Sequence, residues 1–398
     1  MRLAFVQKRV ADFRIPIFAR IAEREDIALT LISGSSFTSG SLPFETRTIR
    51  PLHVSVGSRQ FMFQPGALKE ARNHEVLVVE GSLRFLTSVA LVLARKLHGV
   101  PVVWWTSMHD PRTEGVSFPD GARGRILRRV LENAQAILTY SEEASSVLRR
   151  ENSTWRVYTA PNVLDTALLD QAEGQWRARP LRVAAFRAKH GLKDRPSILF
   201  VGRLVAAKRV SDLISAFRLV RVMRPELDPV LTIVGDGPER GPLQEIVSVH
   251  GIADHVLFAG EVREIDAVCP WFLAAKVLVL PGSGGLAIYQ ALSHGVPVIC
   301  GRADGTEIGM IRDGVNGFTI EVGDIESLAH RIARILDAST IEWTRLSDES
   351  RSVAHGPYHV NRMVDGIWAA VDGVSQSRDR GSALKDSLGS RFSPRRSR

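Results

Sequence analysis

The stretch LPGSGGLAIYQALSHGVPVI, residues 280–299, places Gly282, Gly284 and Gly285 within four positions, after an apolar run and before a helix-patterned segment. The free N–H groups and positive dipole end of such a helix attract an anion, and glycine lets a phosphate approach the backbone closely. The stretch contains no acid, and Gln290 occupies the middle of its helical part. A second group lies in FVGRLVAAKRV, residues 200–210, where Gly202 permits a tight turn and Arg203 and Lys208 put two cations near one strand end. A third turn, IVGDGPE, carries Gly235 and Gly237 before Pro238, a natural first residue of a helix. Three glycine turns and two cations on one half of the chain point to a bound diphosphate.

Other residues could take part. His109 follows an apolar strand pattern, Glu307 is an acid in the loop after Cys300, and Arg14 lies where the first loop meets its helix. Arg125, Arg128 and Arg129 offer a basic helix face, and His294 at a helix end complements the dipole. Neither G-x-x-x-x-G-K-[ST] nor a G-x-G-x-x-G after the first strand is present, which lowers the weight of kinase-like and ordinary dinucleotide chemistry. There is no Asp-x-Asp pair. No metal is expected, because Arg203, Lys208 and the helix end would do its work.

These residues need a scaffold of alternating strands and helices. Strand patterns fall at 2–6, 27–32, 75–79, 100–105, 136–140 and 155–159, with helical patterns at 13–23, 83–97, 122–133 and 142–149, the last with Ser141 as N-cap. The rhythm lapses from about 164 to 195. It restarts at 197–201 and continues at 230–234, 255–258, 276–280 and 296–300, with a last helical pattern at 360–371. Repeated βα units imply parallel sheets with helices on both faces, which bind ligands at the carboxyl ends of their strands. A chain of 398 residues is expected to form two such domains.

Composition narrows the setting. Hydrophobic residues make up 44% and charged residues 24%, and the two cysteines, Cys269 and Cys300, lack metal or redox spacing. That fits a reducing cytosol. No apolar run has the length of a signal core or of a membrane span. The net charge is +9, and the stretch from Gln376 to Arg398 holds seven cations against two acids. A basic surface suits nucleotides or acidic lipid. With no aromatic-rich basic patch, nucleic acid is not expected as a partner.

The segments ILFVGRLVAAKRVSDLISAF, LTIVGDGPERGPL, HVLFAGEV, GLAIYQALSHGVPVI and IRDGVNGFTIEVGDIESLAHRI occur in that order. Together they resemble the donor-binding half of the GT-B glycosyltransferases of family 4, retaining enzymes that use nucleotide-sugars. The likeness is strong over about residues 196–340 and continues more weakly in AILTYSEEASSVL and APNVLDT. It implies an α/β GT-B fold, two Rossmann-like parallel-sheet domains facing a cleft. Residues 1–165 would be the acceptor side, 166–195 a connection and 196–355 the nucleotide-sugar domain. Residues 356–374 would form a C-terminal helix, and 375–398 a basic disordered tail.

The resemblance also implies roles. Arg203 and Lys208 would hold the donor diphosphate, with Gly202 shaping their loop. Gly284, Gly285 and Leu286 would give N–H contacts to the same phosphates. Gly260 and Val262 would lie near the base, Gln290 at the ribose and Glu307 near the sugar. His109, in TSMHD, would face the donor sugar, and Arg14 is an acceptor-side candidate. Where the family usually shows Glu-x7-Glu, this chain has Gly282 and Gln290, and VQKRVADFRIP replaces the usual first glycine loop.

The implied activity is transfer of a sugar from a nucleoside diphosphate sugar to a glycan or lipid-linked hydroxyl, with retention, in polysaccharide or lipopolysaccharide biosynthesis. The setting would be cytoplasmic, with a possible peripheral place at the inner face of the membrane. A nucleotide-sugar epimerase or a non-catalytic nucleotide-sugar-binding protein on the same scaffold stays open beside it.

Overall fold

The structure is a computed structural model that describes residues 1–35, 41–57, 59–108, 116–302, 305 and 307–391, with residues 377–391 as helical backbone only. Among the described residues the strands are β1 (Arg2–Gln7), β2 (Ala28–Ser33), β3 (Glu45–Thr48), β4 (Leu52–Val56), β5 (Arg59–Phe63), β6 (Val76–Glu80), β7 (Val102–Thr106), β8 (Ala136–Thr139) and β9 (Val157–Thr159). They continue with β10 (Ser197–Val201), β11 (Val230–Val234), β12 (Val256–Gly260), β13 (Ala275–Leu280), β14 (Val298–Gly301) and β15 (Gly317–Ile320). The chain forms two compact units. One holds Met1–Met108, Ser117–Asn162 and Asn361–Arg398, and the other holds His109–Val116 and Val163–Val360.

The first unit contains a parallel sheet in the order β3-β2-β1-β6-β7-β8-β9. The second contains a parallel sheet in the order β12-β11-β10-β13-β14-β15. Helices cover both faces of such sheets, so the central strands are buried along their length, while the edge strands β3, β9 and β12 are not. Leu3 to Val6 and Val277 to Val279 are fully buried, and apolar runs replace alternation there. Strand order reverses beside β1 in the first unit and beside β10 in the second. At those switch points the neighbouring loops diverge and leave a crevice at the carboxyl edge.

Several elements differ from expectation. The segment 166–195 is built into the second unit through the helices Thr166–Arg177 and Pro180–Lys189. Trp176 and Phe186 meet edge-on at 5.9 Å, Phe186 meets Trp271 at 4.7 Å, and Trp176 Nε1 donates to Asp266 Oδ1 at 3.0 Å. Pro238 precedes its helix instead of opening it: the helix Arg240–Val249 begins two residues later. The last helix runs Val360–Arg391, past residue 374; no proline interrupts the chain there before Pro394. A two-stranded antiparallel ribbon, β4-β5, stands apart from both sheets.

Candidate functional site

In the second unit the loops after β10 and β13 flank the switch point, and main-chain contacts lock the neighbouring loops together. Gly202 N donates to Val234 O at 3.0 Å, Leu204 N to Asp236 O at 2.9 Å, Gly235 N to Gly260 O at 2.7 Å and Ser283 N to Ala207 O at 3.2 Å. The loops approach so closely that a Cβ on Gly235 would stand 1.9 Å from Gly202 O. Glycine is therefore a steric requirement of this interlock as well as an aid to phosphate approach.

The two cations sit on this frame. Lys208 ends the short helical turn Ala206–Lys208, is half-buried, and donates from Nζ to the carbonyl of Ser283. One side chain thus bridges the two loops at the switch point. Arg203 is exposed and, among the described residues, makes no side-chain hydrogen bond or ion pair. The loop leaves it available to a ligand.

The glycine turn leads into the helix Leu286–Ser293, whose N-cap is Gly285 at φ 65° with no capping side chain. The left-handed conformation suits glycine, and the first turn of a helix carries N–H groups that intrahelical bonding does not use. Gln290 lies on this helix, half-buried, with no side-chain hydrogen bond among the described residues. Gly260 ends β12 at φ 78°, with Val262 partly buried two residues on. Glu307 is buried at 1% exposure. His109 lies outside the described residues.

The departure at Gly282 has a physical cause. A Cβ there would lie 2.2 Å from Ala207 O, so the turn rests directly on the Lys208 loop and has no room for a side chain. One cation not expected from the sequence also appears. Arg240 Nη1 donates to Asp236 Oδ2 at 2.7 Å and stands 3.9 Å from where a Cβ on Gly260 would be. The signal was its place at the end of GDGPER, beside the glycines that shape the edge.

A buried charge cluster holds the glycine-turn helix from behind. Arg351 donates to the Ser293 and His294 carbonyls at 3.1 and 2.8 Å, capping the helix C-terminus. Arg351 also pairs with Glu173 at 2.6 Å, and His294 Nδ1 lies 2.8 Å from Glu173. Burial pushes the Glu173 carboxyl up, but hydrogen bonds from His294, Arg351 and Arg177 outweigh it and hold it well below the usual carboxylate range. His294 is thus a buried support. Tyr289 and Thr166 share a hydroxyl hydrogen bond at 2.8 Å, and Val360 N donates to Thr166 Oγ1 at 3.2 Å.

The first unit has its own cluster at the carboxyl edge of its sheet. Arg14 stacks on Trp105 at 4.7 Å and Tyr140 at 5.0 Å, and its Nη2 donates to Asn162 Oδ1 at 3.0 Å. Its Nη1 and the Trp105 Nε1 are buried donors without acceptors among the described residues. Burial pushes the Tyr140 phenol up, against the opposing charge of Arg14. Lys8 after β1 pairs with Glu80 at the end of β6 at 2.9 Å, across the switch point. The basic helix Gly121–Leu131 is partly neutralised: Arg128 pairs with Glu151, and Arg129 with Glu132 at 3.9 Å.

Residues 183–352 match the family described as Glycosyl transferases group 1. The chain is 30% identical over 347 residues to the N-acetyl-alpha-D-glucosaminyl L-malate synthase of Bacillus anthracis, covering 82% of this chain and 86% of that protein. It is 26% identical to the alpha-D-kanosaminyltransferase of Streptomyces kanamyceticus, over 70% of this chain and 73% of that one. Several other curated relatives are matched over about half their length. Among solved structures, Anabaena HepE in complex with UDP superposes with a TM-score of 0.68 at 17% identity, over 94% of this chain and 100% of that chain.

Proposed function

The chain belongs to the group 1 glycosyl transferases, and from that premise we propose that it moves a sugar from a nucleoside diphosphate sugar to a hydroxyl of a glycan or lipid-linked acceptor, with retention at the anomeric carbon. The observation that carries this reading is the Lys208 bridge to Ser283, which joins the cation loop to the glycine turn at the switch point. The relatives support it. HepE is solved with UDP, the Streptomyces protein is named a kanosaminyltransferase, and the Bacillus protein is named an N-acetyl-alpha-D-glucosaminyl L-malate synthase.

In this proposal the diphosphate lies against the N-terminus of the helix Leu286–Ser293. Arg203, Lys208 and the N–H groups of Gly284, Gly285 and Leu286 face it. As the bond from the anomeric carbon to the phosphate oxygen breaks, negative charge gathers on the leaving diphosphate, and these fixed donors stabilise it. The acceptor oxygen forms the new bond on the same face, and its proton passes to the departing phosphate oxygen. No protein carboxylate is required as base, which fits a glycine turn without an acid. Gln290 offers an amide oxygen to the ribose, and Gly260 and Val262 flank the base, with Arg240 beside them. Glu307 and His109 are kept as sugar-side residues.

Arg14 and Trp105, with unused buried donors, form the acceptor-side candidate. Cation-based stabilisation makes the reaction independent of added metal. A setting in polysaccharide or lipopolysaccharide assembly, at an anionic membrane face, completes the proposal. No described helix is long and apolar enough to cross a membrane.

The test is release of nucleoside diphosphate from a panel of labelled nucleotide-sugars, with and without glycan and lipid acceptors and with chelator present. Acceptor-dependent product that falls about 100-fold in Arg203→Ala or Lys208→Ala supports the proposal. Conversion of free donor to another sugar without acceptor would make the protein an epimerase, and binding without any turnover would make it a non-catalytic binder.

A further inference from the structure

The ribbon β4-β5 exposes an apolar face. Its register pairs Leu52 with Phe63, Val54 with Phe61 and Val56 with Arg59. Paired residues of an antiparallel ribbon project to the same side, so Leu52, Val54, Val56, Phe61 and Phe63 share one face, with Arg59 at its turn end. The other face carries His53, Ser55, Gln60 and Met62. The apolar side is open: Leu52 is 55% exposed, Val54 51% and Val56 62%. A ribbon of two strands is marginal in water by itself, and a contiguous apolar face of this kind marks a contact surface.

Between Glu45 and Glu70 the ribbon's own stretch carries charge of one sign. No Asp or Glu occurs from Thr46 to Lys69, a stretch that holds Arg47, Arg50, Arg59 and Lys69. Met62 N donates to Arg84 O at 2.9 Å and Met62 bridges to Phe85, which sets Arg84 and the exposed Leu86 beside β5. Arg47 pairs with Glu45 at 2.5 Å. Among the described residues Arg50, Arg59, Lys69 and Arg84 are exposed and make no ion pair. An apolar face with a cationic rim and no acid matches the interface of an anionic bilayer, where apolar side chains enter the acyl boundary and cations meet the headgroups.

We propose that this ribbon is the surface by which the first unit docks on an anionic lipid membrane. The inference deepens the membrane part of the proposed function by naming the contact. It does not depend on the donor site, which lies in the other unit. It also explains why the basic helix Gly121–Leu131 is a weaker candidate, since two of its cations are already paired.

The test is co-sedimentation of the full chain with vesicles of phosphatidylcholine alone and of phosphatidylcholine mixed with phosphatidylglycerol. It uses the wild type, Arg50→Gln with Arg59→Gln, and Val54→Thr with Val56→Thr. Threonine keeps the strand preference and shape while removing apolar surface. Wild type is expected to bind the mixed vesicles more tightly than the neutral ones. Each lost cation should weaken that binding about fivefold, so the arginine pair about 25-fold. The threonine pair should weaken binding to both vesicle types. A single cooperative thermal transition at similar temperature in all three proteins shows that each is folded. Wild type that ignores anionic vesicles overturns both the membrane reading and the docking surface. Wild type that binds while both variants bind equally well overturns the ribbon alone. A concentration-dependent dimer in light scattering that the threonine pair abolishes would assign the face to a second copy of the chain and overturn the lipid assignment.

Discussion

Gln290 is the residue at which the donor-site account is most exposed. It holds the position of a family carboxylate, yet its amide has no hydrogen bond among the described residues. If it accepts from a ribose hydroxyl, the contact needs an oxygen but no charge. Gln290→Glu should keep most of the donor affinity. Gln290→Leu should lose about 1–3 kcal/mol, roughly 5- to 150-fold. The loss should vanish with a donor lacking the ribose hydroxyls, a double-mutant cycle read by calorimetry. Equal behaviour of the two variants would return Gln290 to a structural role. At this scale the sequence was legible in placing Arg203, Lys208 and the glycines on neighbouring loops at one sheet edge, while their role as phosphate ligands is the proposal. The reason for Gly282 was not legible. It is a carbonyl of Ala207, 75 residues away in the chain and in contact only through the fold.

At the scale of elements, the glycine turn is held from above by the Lys208 loop and from behind by the Glu173 cluster. Gly282→Ala should cost about 1–3 kcal/mol in urea unfolding, because its Cβ meets main chain. Gly284→Ala should cost less, because its Cβ meets the end of the Ile288 side chain, which can turn away. A larger cost for Gly284→Ala would mean that the two loops do not interlock as described.

Glu173 gives a pH signature. Its carboxyl is held well below the usual range in the fold, so its contribution is full above the unfolded value near 4.5 and is lost as pH falls below that. Glu173→Ala should cost about 3 kcal/mol at neutral pH. The difference from wild type should shrink steadily as unfolding is measured below pH 4.5. A constant difference down to the acid transition would show that Glu173 is not paired in the fold.

Elements were legible where apolar runs are continuous, as in β1, β10 and β13. The helices of 166–195 were missed because they contribute no strand rhythm, although Leu169, Ala172 and Trp176 recur at helical spacing on the buried face. The ribbon escaped because it faces outward, so its alternation of Leu52, Val54 and Val56 matched no core.

At the scale of the whole molecule, two parallel sheets follow from the βα rhythm, but the edge strands β3 and β15 and the strand order with its switch points do not. The extent of the last helix did not, since a run of polar and charged residues is compatible with either helix or coil. Its last buried side chains among those described are Ala370, Val371 and Val374. Removing Gln376–Arg398 should therefore change the melting temperature by no more than about 2 °C, the shift expected for under ~1 kcal/mol at this size. A large drop would show that the removed segment packs on the core.

The central claim is that Arg203, Lys208 and the glycine turn hold a nucleoside diphosphate. The most direct measurement is calorimetric titration of UDP, GDP, ADP and dTDP, each beside its parent nucleoside, into wild type and into the Arg203→Ala, Lys208→Ala double variant. The account predicts that at least one diphosphate binds wild type far more tightly than its nucleoside. In the double variant that gap should collapse, while nucleoside binding stays unchanged. A diphosphate that binds both proteins equally, or a wild type that binds none of the four, would contradict it.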